Sequence, residues 1–153
     1  MFVQKIECAK APKAAGPYSQ AVKLADFVYL SGMLPLDPTT GEVVSDDISK
    51  QVTQVMENIQ NLLADMGLKF SHVVKTTIFI TDFNDYSVVN DIYASYLAEP
   101  YPARSCVQVS ALPKGVKVEI ECTVIDTLIY EEQMQSGCGV SGCSDCSGCS
   151  GCH

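Results

Sequence analysis

Arg104 lies in the run Pro102-Ala103-Arg104-Ser105-Cys106-Val107, whose other residues suit burial. An arginine is costly to bury unless a carboxylate answers it, and its planar fork matches a carboxylate through two parallel hydrogen bonds. Two chemistries fit: binding of a substrate carboxylate, or a structural ion pair with Glu119 or Glu121. Glu119, in Val116-Lys117-Val118-Glu119-Ile120-Glu121, carries its own pair of readings. It is either a solvated strand residue or a partly desolvated general base that takes a proton from water. A guanidinium and a carboxylate from adjacent strands, converging on one small cavity between subunits, would suffice to fix a small acid and activate a water against it.

A second set of reactive side chains is concentrated after residue 137. Cys143, Cys146, Cys149 and Cys152 recur at intervals of three, with Cys138 before them and His153 after. This spacing lets thiolates share one zinc ion or iron–sulfur cluster, although nothing between the cysteines would select a particular metal. A reduced tail, an oxidised tail, an added stretch without function, or a redox or persulfide carrier would have the same sequence. The surrounding residues are almost all Gly and Ser, so the segment cannot bury enough apolar surface to fold alone. We therefore divide the chain into a domain over residues 1–130 and a flexible Gly/Ser/Cys-rich tail over 131–153. Cys8, Cys106 and Cys122 instead stand among apolar residues, where reduced cysteines behave as small hydrophobes.

The elements that must position Arg104 and Glu119 follow from periodicity. Phe27 to Leu30 reads as a strand that Ser31-Gly32 breaks with a turn. From Ile48, the residues Val52, Val55, Ile59, Leu62, Leu63 and Met66 keep helical spacing, with Asp46 and Asp47 before them as caps and Gly67 after them as a stop. His72 to Thr81 is a buried strand. Asp82 and Asn84 offer caps to a second helix carrying Tyr86, Val89, Ile92, Tyr93, Tyr96 and Leu97. Arg104 to Ser110 and Val116 to Ile125 read as two strands around a Leu112-Pro113-Lys114-Gly115 turn. Both helices can pack on one face of a single mixed sheet, leaving the face with Lys117, Glu119, Glu121 and Thr123 uncovered and suited to subunit contact.

With 153 residues, 47% of them hydrophobic, one packed domain is expected. The net charge of −8 and pI near 4.5 oppose a phosphate-backbone binder, so no nucleic-acid partner is expected. No apolar run reaches the ~20 residues of a membrane helix, and no signal peptide is recognisable. A cytoplasmic protein is the expectation.

Five blocks together resemble the RidA/YjgF family of reactive intermediate deaminases: Gly16-Pro17-Tyr18-Ser19-Gln20-Ala21; Leu30-Ser31-Gly32 with Pro35-Leu36-Asp37-Pro38-Thr39-Thr40-Gly41; Val74-Lys75-Thr76-Thr77-Ile78-Phe79; the Arg104 run; and the Glu119 run. The resemblance covers about the first 127 residues, in the family's own order. It implies an α+β, chorismate-mutase-like subunit with two helices on one face of a mixed sheet, assembled as a homotrimer with a site in each interface. It also implies hydrolysis of 2-iminopropanoate and 2-iminobutanoate, released by pyridoxal-phosphate enzymes, to 2-keto acids and ammonia without a cofactor. By position, Arg104 would bind the substrate carboxylate and Glu119 would handle the water. Cys106 would contribute mainly backbone contacts, and Tyr18, Ser31, Gly32 and Asn90 would line the pocket. Met33, where the family commonly has Gln, and the short Glu99-Pro100-Tyr101-Pro102 link depart from the pattern. The fold also suits two other readings, a ligand-sensing trimer or a ribonuclease-like translation inhibitor; retention of both Arg104 and Glu119 favours the enzyme. A metal or redox protein built on the tail is a further alternative.

Overall fold

The computed structural model describes residues 2–137. Strands β1 (Gln4–Ile6), β2 (Ala21–Leu24) and β3 (Phe27–Met33) lead into helix α1 (Ile48–Asp65). Strand β4 (Val73–Ile80), helix α2 (Tyr86–Ser95), strands β5 (Ala103–Gln108) and β6 (Val118–Ile125), and helix α3 (Leu128–Gly137) follow. One six-stranded sheet runs in the order β1-β2-β3-β6-β4-β5, antiparallel except for the parallel β4–β5 pair. It is the expected mixed α+β sheet.

Helix α1 forms where its apolar spacing demands. Asp47 caps its start, its Oδ1 accepting from the Lys50 N–H at 3.0 Å. Its end is closed by Gly67 at φ +74°, with the Gly67 N–H bonded to the Ala64 carbonyl and the Leu68 N–H to the Leu63 carbonyl. Val52, Val55, Met56, Ile59, Leu62 and Leu63 on its inner face are all at most 1% exposed and pack on the sheet. Cutting one of these leucines to alanine costs about 2–5 kcal/mol. Helix α2 adds Val89 and Tyr93 to the same layer, and the Tyr93 and Thr76 hydroxyls are 2.8 Å apart. Val118, Ile120, Cys122 and Val124 of β6 point into this core, as the alternation requires, and Glu119, Glu121 and Thr123 point away from it.

The structure corrects the sequence reading in three places. Ser31 and Gly32 do not end the strand at Leu30. They lie inside β3 as a register shift between Leu30 and Met33 in its pairing with β6. Asp82 caps the 3-10 turn Phe83–Asp85, accepting from the Asn84 N–H at 2.8 Å, one turn before α2 begins. Strands β5 and β6 are not neighbours, because β4 is inserted between them and pairs with both. Its eight residues are flanked by the core on one side, and an interior place with a neighbour on each edge uses its apolar alternation better than the sheet edge would.

Helix α3 runs across the 130/131 division. It is docked by Leu128 on the core, by the Tyr130 hydroxyl donating to Asp26 at 2.7 Å, and by Glu131 Oε1 at 3.2 Å from His72 Nε2. Lys23 pairs with Asp126 just before it. No helix among the described residues is long and apolar enough to cross a membrane.

Candidate active site

The residues singled out in the sequence fall into two groups, one on each face of the sheet. On the open face, a cleft of about 1030 Å³ is lined by Tyr18, Ser31, Gly32 and Glu119, together with Met33, Leu34, Leu36, the Pro38–Glu42 turn and Lys114. Three buried amide side chains build its walls. Gln20 donates to the carbonyls of Cys8, Ala11 and Pro12 at 3.1, 3.1 and 2.7 Å and accepts from the Cys8 N–H at 2.7 Å, fixing the segment before Tyr18. Asn58 on α1 donates to the carbonyls of Leu34 and Leu36 at 3.2 and 2.9 Å. Gln51 donates to the Ser45 carbonyl and accepts from the Lys117 N–H, tying the same loop to the start of β6. The Ser31 hydroxyl donates to the Ser19 carbonyl at 2.6 Å, which ties the Tyr18 segment to β3. Burial pushes the Glu119 carboxyl above the ordinary carboxylate range, and the Glu121 charge on the same face pushes it further. That is the direction a proton acceptor working near neutral pH needs.

On the helix face, Arg104 is held by α2. Its Nη1 donates to Asn90 Oδ1 at 2.9 Å and its Nη2 to the Tyr86 hydroxyl at 3.0 Å. The guanidinium carbon lies 5.2 Å from the Tyr93 ring centre and 5.8 Å from that of Tyr86. Two neutral acceptors and two ring faces orient the fork without neutralising it, so its charge is retained for an anion. Glu119 and Glu121, weighed as its ion-pair partners, are on the other face. Cys106 stands two residues on, half-buried beside Arg104. Burial raises its thiol above the usual value and the Arg104 charge opposes that only in part, so it is not poised as a thiolate nucleophile.

A single chain therefore does not bring Arg104 and Glu119 together. Arg104 is level with Thr76 and Glu119 with Phe79 on β4, an odd separation that puts them on opposite faces. Their strands are also two spacings apart, ~10 Å, before the three-residue offset along β4 is added. The expectation that adjacent strands would bring them together fails because β4 separates the two strands. Tyr86 and Tyr93 were read from sequence only as core positions of α2. The signal available was that Tyr86, Asn90 and Tyr93 share one helix face at steps of four and three. Among the described residues no group of three or more His, Cys, Asp or Glu is arranged to hold a metal. Cys143, Cys146, Cys149 and Cys152 lie outside the described residues.

The family model for Endoribonuclease L-PSP matches residues 8–126, a span that contains both groups. This chain belongs to that family, the RidA/YjgF proteins. Among RidA/YjgF relatives, it is 51% identical to Protein DfrA of Myxococcus xanthus over 127 residues, covering 82% of this chain and 97% of that protein. It is 44% identical over 120 residues to the human protein named 2-iminobutanoate/2-iminopropanoate deaminase, covering 78% of this chain and 88% of that one. The solved structure of the Rid family protein YyfA from Yersinia pestis is 50% identical and superposes with a TM-score of 0.79, covering 81% of this chain and 99% of that one. The RidA/YjgF subunit fold expected from the sequence is thereby shown.

Proposed function

We propose that this RidA/YjgF chain hydrolyses small 2-imino acids, such as 2-iminobutanoate and 2-iminopropanoate, to 2-keto acids and ammonia, at a site that two copies of the chain complete. The observation that carries this reading is the separation of an intact carboxylate-binding half (Arg104, Asn90, Tyr86) from an intact water-handling half (Glu119, Ser31, Gly32, Tyr18). Neither half serves imine hydrolysis alone, and each half is open to a neighbour. The open face supplies the means of assembly: Phe27, Tyr29 and Val107 are 47%, 46% and 41% exposed on it, an apolar burden that a homotrimer would cover. Relatives named as deaminases of these imines support the substrate class.

In this reading Arg104 of one copy binds the substrate carboxylate. A protonated imine is already electrophilic at carbon, so the neighbouring copy's Glu119 need only take one proton from a water as the water oxygen bonds to that carbon. Return of that proton to nitrogen makes ammonia the leaving group, and Glu119 accepts the hydroxyl proton as the carbonyl forms and the C–N bond breaks. The balance is one protonated imine and one water to one keto acid and one ammonium ion, which needs no cofactor. Cys106 forms no covalent bond. The family description names an endoribonuclease, but with a net charge of −8 the chain would repel a phosphate backbone, and the cleft wall centres on a carboxylate.

The decisive experiment is complementation. Arg104→Ala and Glu119→Gln, each inactive alone on enzymatically generated 2-iminobutanoate, are mixed under conditions of subunit exchange. An equal mixture should recover roughly a quarter of the parent activity, because that fraction of interfaces pairs an intact Arg104 with an intact Glu119. Absence of recovery in demonstrably mixed oligomers would refute the shared site, and full activity in either single variant would refute the hydrolase.

A further inference from the structure

Glycine is usually demanded by backbone torsion, and Gly41, Gly67 and Gly115 are of that kind, with φ of +74°, +74° and +70°. Gly32 is not among the positive-φ glycines, and its requirement is for space. A Cβ built on Gly32 would stand 1.7 Å from Oε1 of Glu119, 2.6 Å from its Cδ and 3.0 Å from its Cγ. Unbonded atoms need about 3.5 Å, so the Glu119 carboxyl fills the volume where any other residue would have its first side-chain atom. The register shift between Leu30 and Met33 places Gly32 at this spot, and the Glu119 side chain lies across the β3 backbone rather than out from the sheet.

We infer that Gly32 is a positioning residue whose missing side chain forms the seat that holds the Glu119 carboxylate in the cleft wall beside Ser31. The inference rests on the reading of Glu119 as proton acceptor. The clashing atoms are the far end of a flexible side chain, so an added methyl would not break the sheet. Glu119 would turn aside, with its charge intact, into a position where it no longer meets the attacking water. Misplacement of a catalytic group by about 1 Å can cost about a hundredfold in rate.

The test is Gly32→Ala in the full chain, with assembly checked by sedimentation. The expected result is a kcat lower by about tenfold to a hundredfold with KM within about twofold, because the carboxylate-binding half is untouched. The acid limb of the pH profile should also move down toward that of an ordinary glutamate, as the carboxylate leaves its partly buried seat. Adding Glu119→Asp, which shortens the side chain by one methylene, should raise kcat above that of Gly32→Ala, whereas in the parent the same change lowers it. If Gly32→Ala does not assemble, Gly32→Ala/Glu119→Asp is compared with Glu119→Asp alone, and equal kcat values are expected. A Gly32→Ala enzyme with the parent's kcat and pH profile overturns the inference, as does a loss that Glu119→Asp deepens or, in the fallback comparison, unequal values. Glu119→Gln separates the two claims. If it is active, the proton-acceptor reading falls and the positioning role with it; if it is inactive while Gly32→Ala is not, only the positioning role falls.

Discussion

Arg104 and Glu119 stand on opposite faces of one sheet, with β4 between the strands that carry them. In the proposed reaction they must act on the same molecule, so the interface between copies is part of the catalytic apparatus. Val107 stands on the open face at the sheet edge, and Val107→Glu would place a charge in the proposed contact between copies. Sedimentation should show dissociation, and ammonia release should fall in proportion to the assembled fraction. A fully active monomer would contradict the shared site.

Arg104→Ala should lower kcat/KM about a hundredfold, the scale of a charged hydrogen-bonded contact of up to 3 kcal/mol. Asn90→Ala leaves the guanidinium but frees its Nη1 side, and the loss should be about tenfold and fall mainly on KM. Steady-state kinetics on a coupled imine source separates the two. Equal losses would mean that Asn90 acts on substrate directly rather than through Arg104.

Glu119 has a pH signature in stability as well as in rate. Its carboxyl is raised in the folded chain by burial and then by Glu121, so the ionised form costs stability at neutral pH. That cost is full above the folded value and vanishes as pH falls through it to the unfolded one, ordinarily near 4.5. Glu119→Gln should therefore raise Tm at pH 7 and show a shrinking difference as the pH is lowered toward 4.5. A constant difference in Tm would show that charge is not its source.

Cys106→Ser should retain most activity, because the thiol is held protonated by burial and the proposed reaction has no covalent step. Alkylation by iodoacetamide at pH 7 should correspondingly be slow. Loss of turnover beyond about tenfold would reopen a role for sulfur.

Removal of residues 138–153 should leave imine hydrolysis unchanged. Metal analysis of anaerobically purified full-length and shortened chains then addresses the thiol run directly: zinc or iron in the first and none in the second would assign it to residues 138–153, which carry Cys143, Cys146, Cys149 and Cys152. No metal in either would dismiss the ligand reading.

Much of the fold was legible because its signals are local. The spacing from Val52 to Met66 with Asp47 and Gly67 around it specifies α1, and the alternation from Val118 to Val124 specifies which face Glu119 takes. The order of strands was not legible. Leu112 to Gly115 looks like a hairpin turn, yet strand pairing is decided by which apolar strand the core can best enclose, a long-range choice that places β4 between β6 and the edge strand β5. The bulge at Ser31-Gly32 was missed for a related reason: a glycine after a short apolar run is a turn signal, and only the side chain of Glu119, far away in sequence, reveals that the gap is occupied. Arg104 and Glu119 were identifiable by residue type, but their separation required the sheet.

The wall of the cleft before Tyr18 has no ladder of its own; one carboxamide, that of Gln20, gathers three of its carbonyls and one of its amides. Bonds that share one side chain are lost together, with Asn61 on α1 holding the Lys10 carbonyl separately at 3.1 Å. Amide hydrogen exchange across residues 8 to 15 should follow a single opening equilibrium that Gln20→Ala shifts as a block, so that one distant carboxamide sets the rigidity of the whole cleft wall.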